Sequence, residues 1–170
     1  MHSLHKIVLI SLSTPTYNNV RAASALPYHL IRAQRGEGTA FVVYSFNINE
    51  IAPDEIKQIE ASLGITIRLL PRPRWMLVMM RLRLLLLRVL LRYPLASYYR
   101  LSSAAIQAVK AETPDAVWIY GEEIAGLARW FSGTRCVVTM PDCESLFYYR
   151  LLGKAFATRN LFQILKSSFA

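Results

Sequence analysis

The chain has 170 residues, 54% of them hydrophobic, with only 7 glycines and 8 prolines. This length and composition exclude a disordered or fibrous chain, and predict one packed domain spanning 1–170 rather than two full-sized domains. The formal charge is +9, and the seven arginines within 72–100 account for all but +2 of it. The basicity therefore belongs to one surface of the protein.

Short apolar runs alternate along the chain with longer helical patterns. The runs that predict strands are 6–12, 39–46, 65–70, 116–120 and 135–140. The patterns that predict helices are 20–34, 53–63, 72–100, 96–112, 122–131 and 144 to the last residue. Pro27 predicts a kink in the first helix, or a start near residue 26. Strands that alternate with helices predict a Rossmann-like, open parallel sheet of about five strands, with helices on both faces.

A long basic helix is predicted after the third strand, because 72–100 is leucine-rich and contains seven arginines but no acidic residue. Arg74, Arg81 and Arg88 are spaced by seven and Arg92 follows four residues later, so all four share a narrow arc. Arg83 projects from nearly the opposite side. The arginines that we expect to bind an anionic membrane are Arg74, Arg81, Arg83, Arg88 and Arg92.

The same segment is a poor membrane span. Its densest part, 75–91, holds 14 apolar residues and 3 arginines. About −0.5 kcal/mol for each apolar residue nearly cancels about +3 kcal/mol for each central arginine, which favours a helix that lies on the membrane. So many apolar residues also fit a lipid surface better than a nucleic-acid groove, and we expect no nucleic acid as partner. Packing against the domain, with the arginine side chains in solvent, is the alternative.

Ligands of open parallel sheets bind beyond the carboxyl ends of the strands, and the loop after the first predicted strand is rich in hydroxyls and amides. Its candidate ligand contacts are Thr14, Tyr17, Asn18 and Asn19, with Arg21 in the following turn. Asn18 or Asn19 can cap the next helix, whose N-terminus offers N–H groups to a sugar or a phosphate. The alternative is a capped loop that binds no ligand.

Two further loops follow the fourth and fifth predicted strands. Glu122, one of a pair of acids, starts a helix. Its carboxylate can bind sugar hydroxyls, act as a base, or simply complement the helix dipole. After the fifth strand come four candidate ligand contacts: Asp142, Ser145, Tyr149 and Arg150. Helix capping explains Asp142 alone but does not explain the tyrosine and arginine that follow it.

Other site chemistries find no support in the sequence. Cys136 and Cys143 lack a metal or redox spacing, and Cys136 is expected to be a buried, reduced thiol. Three scattered histidines predict no metal site, and neither a dinucleotide fingerprint nor a phosphate loop occurs. The N-terminal apolar run is too short for a signal peptide, so we expect a cytoplasmic protein.

Three passages together resemble one enzyme family. They are His5-Lys6-Ile7-Val8-Leu9-Ile10-Ser11 before a polar loop, Val117-Trp118-Ile119-Tyr120 before Gly121-Glu122, and Cys136-Val137-Val138-Thr139-Met140-Pro141-Asp142 before Ser145-Leu146-Phe147-Tyr148-Tyr149-Arg150. The chain is similar over essentially its whole length to the N-terminal half of a GT-B glycosyltransferase of family 4. It departs from the family at Pro141, where many members have histidine.

The resemblance implies two Rossmann-like domains that face a cleft. The N-terminal domain would bind the sugar acceptor and dock on the inner membrane through a basic helix. A C-terminal domain, which we expect to be absent from this chain, would hold the nucleotide-sugar donor, so no cofactor is expected and the fragment alone should not turn over. The implied reaction is transfer of a hexose-like sugar to a lipid-linked or polysaccharide acceptor. A non-enzymatic α/β module that binds a membrane or a partner protein through its arginine helix is the alternative.

Overall fold

The computed structural model of the protein describes residues 5–19, 23–35, 37–72 and 99–139. Five parallel strands form one open sheet, in the order β3-β2-β1-β4-β5. The strands are β1 (His5–Ser11), β2 (Thr39–Ser45), β3 (Thr66–Leu69), β4 (Ala116–Tyr120) and β5 (Arg135–Thr139). The predicted Rossmann-like α/β fold is confirmed, and each strand lies within one residue of its predicted bounds.

In the described ranges, three α-helices and a 3₁₀ helix lie between the strands. They are α1 (Ala25–Ala33), α2 (Pro53–Leu63), α3 (Ser103–Ala111) and the 3₁₀ helix Glu122–Phe131. Pro27 lies in the first turn of α1, which confirms the predicted start near residue 26. Gly64 ends α2 in the left-handed conformation, with φ of 66°.

The predicted helix over 96–112 is wrong at its start. Residues 99–102 are not helical, and Ser102 is extended, with φ of −66° and ψ of 157°. Its side chain accepts a hydrogen bond from the backbone N–H of Ala105, which begins α3 at residue 103. The upstream apolar pattern continues the helical periodicity and so conceals this cap.

The sheet is covered on both faces, as its apolar strands predict. On one face, Val8 and Ile10 of β1 belong to a core that includes Val109 of α3 and the 3₁₀ helix. On the other face, Leu9 of β1 belongs to a core that includes Ile31 of α1 and the inner side of α2. The predicted basic helix and the helix after residue 144 lie outside the described residues, except for Arg72, Tyr99 and Arg100.

Candidate functional site at the carboxyl edge of the sheet

The strand order reverses between β1 and β4, and a switch point of this kind leaves a crevice between the loops that follow the two strands. From β1 the chain adds β2 and β3 on one side, and β4 and β5 on the other. Ser11, at the end of β1, is in register with both Ser45 of β2 and Tyr120 of β4. The loops after these strands therefore start at one level, at the switch point where open α/β sheets bind their ligands.

Thr14 joins the loop after β1 to the loop after β2. Its N–H donates to Oδ1 of Asn49 and its carbonyl accepts from Nδ2 of the same residue, both at 2.9 Å. Its hydroxyl donates to Oδ1 of Asn47 at 3.0 Å and lies 3.1 Å from Oγ of Ser45. Thr14 is 0% exposed, so this predicted ligand contact shapes the loop from within.

Asn47 holds the loop after β2 in a conformation that few residues adopt. Its φ is 51°, in the left-handed region that asparagine tolerates better than most residues do. Its side-chain amide exchanges two hydrogen bonds with the backbone of Ile51, at 2.9 and 3.0 Å. Asn47 and Asn49 are not among the site residues predicted from the sequence. An Asn-x-Asn pattern between a strand and a helix indicates such residues.

Asn19 accepts hydrogen bonds at the start of α1, but it is not the N-cap residue that was predicted: Ser24 holds that position, and α1 begins at Ala25. Its Oδ1 accepts the backbone N–H groups of Ser24 and Ala25, at 3.0 and 2.9 Å. Pro27 has no N–H, so the first turn of α1 has few donors left for an anion. This geometry favours a neutral, hydroxyl-bearing ligand over the phosphate that the loop composition also allowed.

Three residues of this loop are exposed to solvent: Tyr17, Asn18 and Asn19. The phenol of Tyr17 is 67% exposed, and Asn18 and Asn19 are exposed beside it. The hydroxyls of Thr16 and Ser24 both donate to the carbonyl of Asn18, at 2.5 and 2.6 Å. The backbone beneath these side chains is therefore fixed, so a ligand that binds them would not have to order the loop.

Gly121 starts the facing loop with φ of 132°, which L side chains rarely adopt. Its N–H donates to the carbonyl of Thr139 at 3.0 Å, which ties the loop to the end of β5. A Cβ at this position would lie 3.4 Å from Oε2 of Glu123. Glu123 thus places a carboxylate against the loop backbone, whereas the side chain of the predicted contact Glu122 lies outside what the structure describes.

Residues 72 and 99, which flank the arginine-rich segment, are both attached to the loop after β2. Nη1 of Arg72 lies 3.4 Å from Oε1 of Glu50. The ring of Tyr99 packs edge-on against Phe46, with 5.1 Å between centroids. Burial raises the pKa of the Tyr99 phenol. Both contacts are made at the carboxyl edge of the sheet, the edge at which the crevice also lies.

Several predicted site residues lie outside the described part of the chain and stay predictions. They are Arg21, Asp142, Ser145, Tyr149 and Arg150, and the membrane-binding Arg74, Arg81, Arg83, Arg88 and Arg92. Within residues 5–19, 23–35, 37–72 and 99–139, no cluster of acids, histidines or cysteines could hold a metal ion. No helix in these same ranges is long and apolar enough to cross a membrane.

Cys136 is a free thiol in β5, as predicted, although it is half-buried rather than fully buried. Burial raises the pKa of this thiol, so it is protonated at neutral pH. A protonated thiol is a poor nucleophile, which makes a structural role the simpler reading of Cys136.

Comparison with protein-family models and with curated proteins finds no match for this chain.

Proposed function

We propose that this domain is the acceptor-binding half of a glycosyltransferase. The complete enzyme moves a sugar from a nucleotide-sugar donor to a lipid-linked or polysaccharide acceptor at the cytoplasmic face of the membrane. One observation carries the proposal: the strand order brings the loop 13–19 and the loop 121–123 to one crevice at the switch point of the sheet.

The side chains at this crevice suit a sugar acceptor. The exposed phenol of Tyr17 offers an apolar ring for a sugar face and a hydroxyl for a hydrogen bond. The amide of Asn18 both donates and accepts hydrogen bonds, and the carboxylate of Glu123 accepts them from hydroxyl groups. The donor site belongs to the second domain, so no catalytic residue is assigned in this one.

The attachment of Arg72 and Tyr99 supports a membrane-bound acceptor. Because both residues contact the loop after β2, the arginine-rich segment between them connects at the same edge as the crevice. Each basic residue near an anionic surface contributes about 1 kcal/mol to membrane binding. A sugar on a lipid carrier would then be held close to Tyr17 and Asn18.

Calorimetric titration with N-acetylglucosamine linked to farnesyl diphosphate tests acceptor binding. Tyr17→Ala and Asn18→Ala should each weaken binding about tenfold, the effect of losing one good ligand contact. Gln58→Ala, an exposed amide on α2 that belongs to neither proposed site, is the matched control and should bind like the parent protein. No binding to the parent, or an equal loss in Gln58→Ala, would overturn the proposal.

Co-sedimentation with phosphatidylglycerol and phosphatidylcholine vesicles tests membrane docking. The parent protein should sediment with the anionic vesicles only, and replacing Arg74, Arg81 and Arg88 by Glu should abolish this. Replacing the exposed Arg32, Lys57 and Arg129 by Glu makes the same change in net charge and should have a much smaller effect. Equal losses in the two triple variants would contradict docking by the arginine-rich segment. Vesicle binding without any sugar binding would favour the non-enzymatic membrane module.

A further inference from the structure

The amino edge of the sheet, opposite the crevice, carries a cavity of about 310 Å³. It lies between the turn that joins α3 to β4 and the turn that joins the 3₁₀ helix to β5. Polar and aromatic side chains line it: Lys110, Thr113, Trp130, Ser132 and Thr134. Its volume is at the lower end of the range in which small-molecule ligands bind.

The walls of this cavity are fixed by backbone hydrogen bonds. The N–H of Thr113 donates to the carbonyl of Lys110 at 3.0 Å, and the N–H of Thr134 donates to the carbonyl of Phe131 at 2.9 Å. Phe131 is buried in the core beneath the second turn. A ligand would therefore enter a preformed site and would not have to order the chain.

Trp130 and Lys110 give the cavity its chemistry. The indole of Trp130 is 44% exposed within a concave surface, and the guanidinium of Arg129 lies 5.1 Å from its ring centroid. Lys110 is exposed in the last turn of α3, and none of the described residues that line the cavity is acidic.

The acids nearest in sequence bind other groups. Glu112 contacts Nζ of Lys6 at 2.6 Å and Nη2 of Arg68 at 2.5 Å. Asp115 accepts the N–H of Lys6 at 2.8 Å. Within the described residues, the ammonium group of Lys110 has no carboxylate within ion-pairing distance, so it is available to an anion from solution.

We propose that this cavity binds a phosphate monoester carried on a ring, either the base and ribose of a nucleotide or a sugar. Lys110 binds the phosphate, the ring packs on the exposed part of Trp130, and the hydroxyls of Ser132 and Thr134 bind the ring's polar groups. The site is separate from the carboxyl-edge crevice and does not depend on the proposed transferase function.

Titration followed by tryptophan fluorescence and calorimetry tests this site with four probes: AMP, glucose 6-phosphate, adenosine and inorganic phosphate. AMP or glucose 6-phosphate should bind saturably, about tenfold more tightly than inorganic phosphate or adenosine, because only they engage both Lys110 and Trp130. Tighter binding of AMP would identify a nucleotide site, and tighter binding of glucose 6-phosphate would identify a sugar-phosphate site. The fluorescence change should disappear in Trp130→Phe.

Lys110→Gln should weaken binding of the better probe about tenfold, the loss expected for one charge-assisted hydrogen bond. Lys57→Gln, an equally exposed lysine on α2, is the matched control and should bind like the parent protein. Both lysines are exposed, so both variants should fold, which thermal unfolding checks. Absence of saturable binding by AMP and glucose 6-phosphate, or equal losses in the two lysine variants, would overturn the proposal.

Discussion

Asn49 is the residue on which the shape of the candidate site most depends. It is 2% exposed and satisfies both backbone polar groups of Thr14. Asn49→Ala would leave two buried groups without partners, at about 1–3 kcal/mol each, so we expect a loss of about 2–4 kcal/mol in the free energy of unfolding. Urea denaturation measures this loss. The control is Gln58→Ala at an exposed position, which should change the free energy of unfolding by less than about 0.5 kcal/mol. Similar values for the two variants would contradict the structural role of Asn49.

The positive φ of Gly121 leads to a second prediction about a single residue. Gly121→Ala would force an L side chain to φ of 132° and bring its Cβ near Glu123, which should cost about 1–3 kcal/mol. Gly126→Ala, in the 3₁₀ helix, is the matched control, since its Cβ would meet nothing within 4 Å. Thermal unfolding of the two variants distinguishes them, and an unchanged melting temperature for Gly121→Ala would refute the argument.

Glu112 predicts a dependence of stability on pH. The hydrogen bond from Lys6, with the charges of Arg68 and Lys6, holds the pKa of this carboxyl below its ordinary value of 4.5, although burial acts in the opposite direction. Folding therefore favours the ionised form, so the cluster stabilises the protein above about pH 4.5 and loses this contribution as the pH falls through the lowered pKa.

Glu112→Gln should lower the free energy of unfolding by about 1–2 kcal/mol at pH 7, between the values for exposed and buried ion pairs. The difference from the parent protein should shrink as the pH is lowered from 7 towards 3, because the carboxyl takes up a proton as the pH falls through its lowered folded-state pKa. Urea denaturation at the two pH values measures this, with Glu37→Gln in an exposed turn as control. A difference that does not change with pH would contradict the ion cluster.

Some residues of the candidate site are predictable from the sequence and others are not. A polar loop before α1 is predictable from the asparagines ahead of a helical pattern, which is local information, although α1 begins six residues after Asn19. The bonds between Asn49 and Thr14 join residues 35 positions apart, so no local pattern predicts them. The N–H of Gly121, which has a positive φ, donates a hydrogen bond to Thr139 of β5, and no local pattern predicts this contact either.

At the scale of elements, Ser102 determines where α3 begins. Its hydroxyl accepts the N–H of Ala105 at 3.1 Å, so Ser102→Ala should lower the free energy of unfolding by about 0.5–2 kcal/mol. Ser103→Ala is the matched control, because that exposed residue lies inside the helix, where alanine is favourable. Chemical denaturation compares the two. A greater loss for Ser103→Ala would show that the helix starts elsewhere.

The strands were the most predictable elements, because each is a short apolar run that ends at Gly, Pro, Ser or Asn. Helix starts were less predictable. Residues 96–102 continue the apolar periodicity of α3, and the hydrogen bond of Ser102 shows where the helix begins. The stretch 122–131 has a helical pattern, yet it forms a 3₁₀ helix, which periodicity alone does not distinguish from an α-helix.

At the scale of the whole molecule, right-handed βαβ connections predict parallel strands but do not fix their order. The order β3-β2-β1-β4-β5 requires the chain to cross from one edge strand to the far side of β1 between β3 and β4. That crossing creates the switch point, and with it the crevice between the loops after β1 and β4. The site is therefore a product of topology. Tyr17 and Asn18 were predicted from the sequence, whereas Asn47 and Asn49 were not.

The central claim is that this crevice binds a sugar acceptor. Amide chemical-shift mapping of the ¹⁵N-labelled protein, titrated with N-acetylglucosamine linked to farnesyl diphosphate, tests it most directly. We expect saturable chemical-shift changes concentrated in residues 13–19 and 121–124. The shifts of residues 110–114 and 130–134 at the amino edge should stay unchanged. Shifts confined to the amino edge, or no saturable shifts at all, would contradict it.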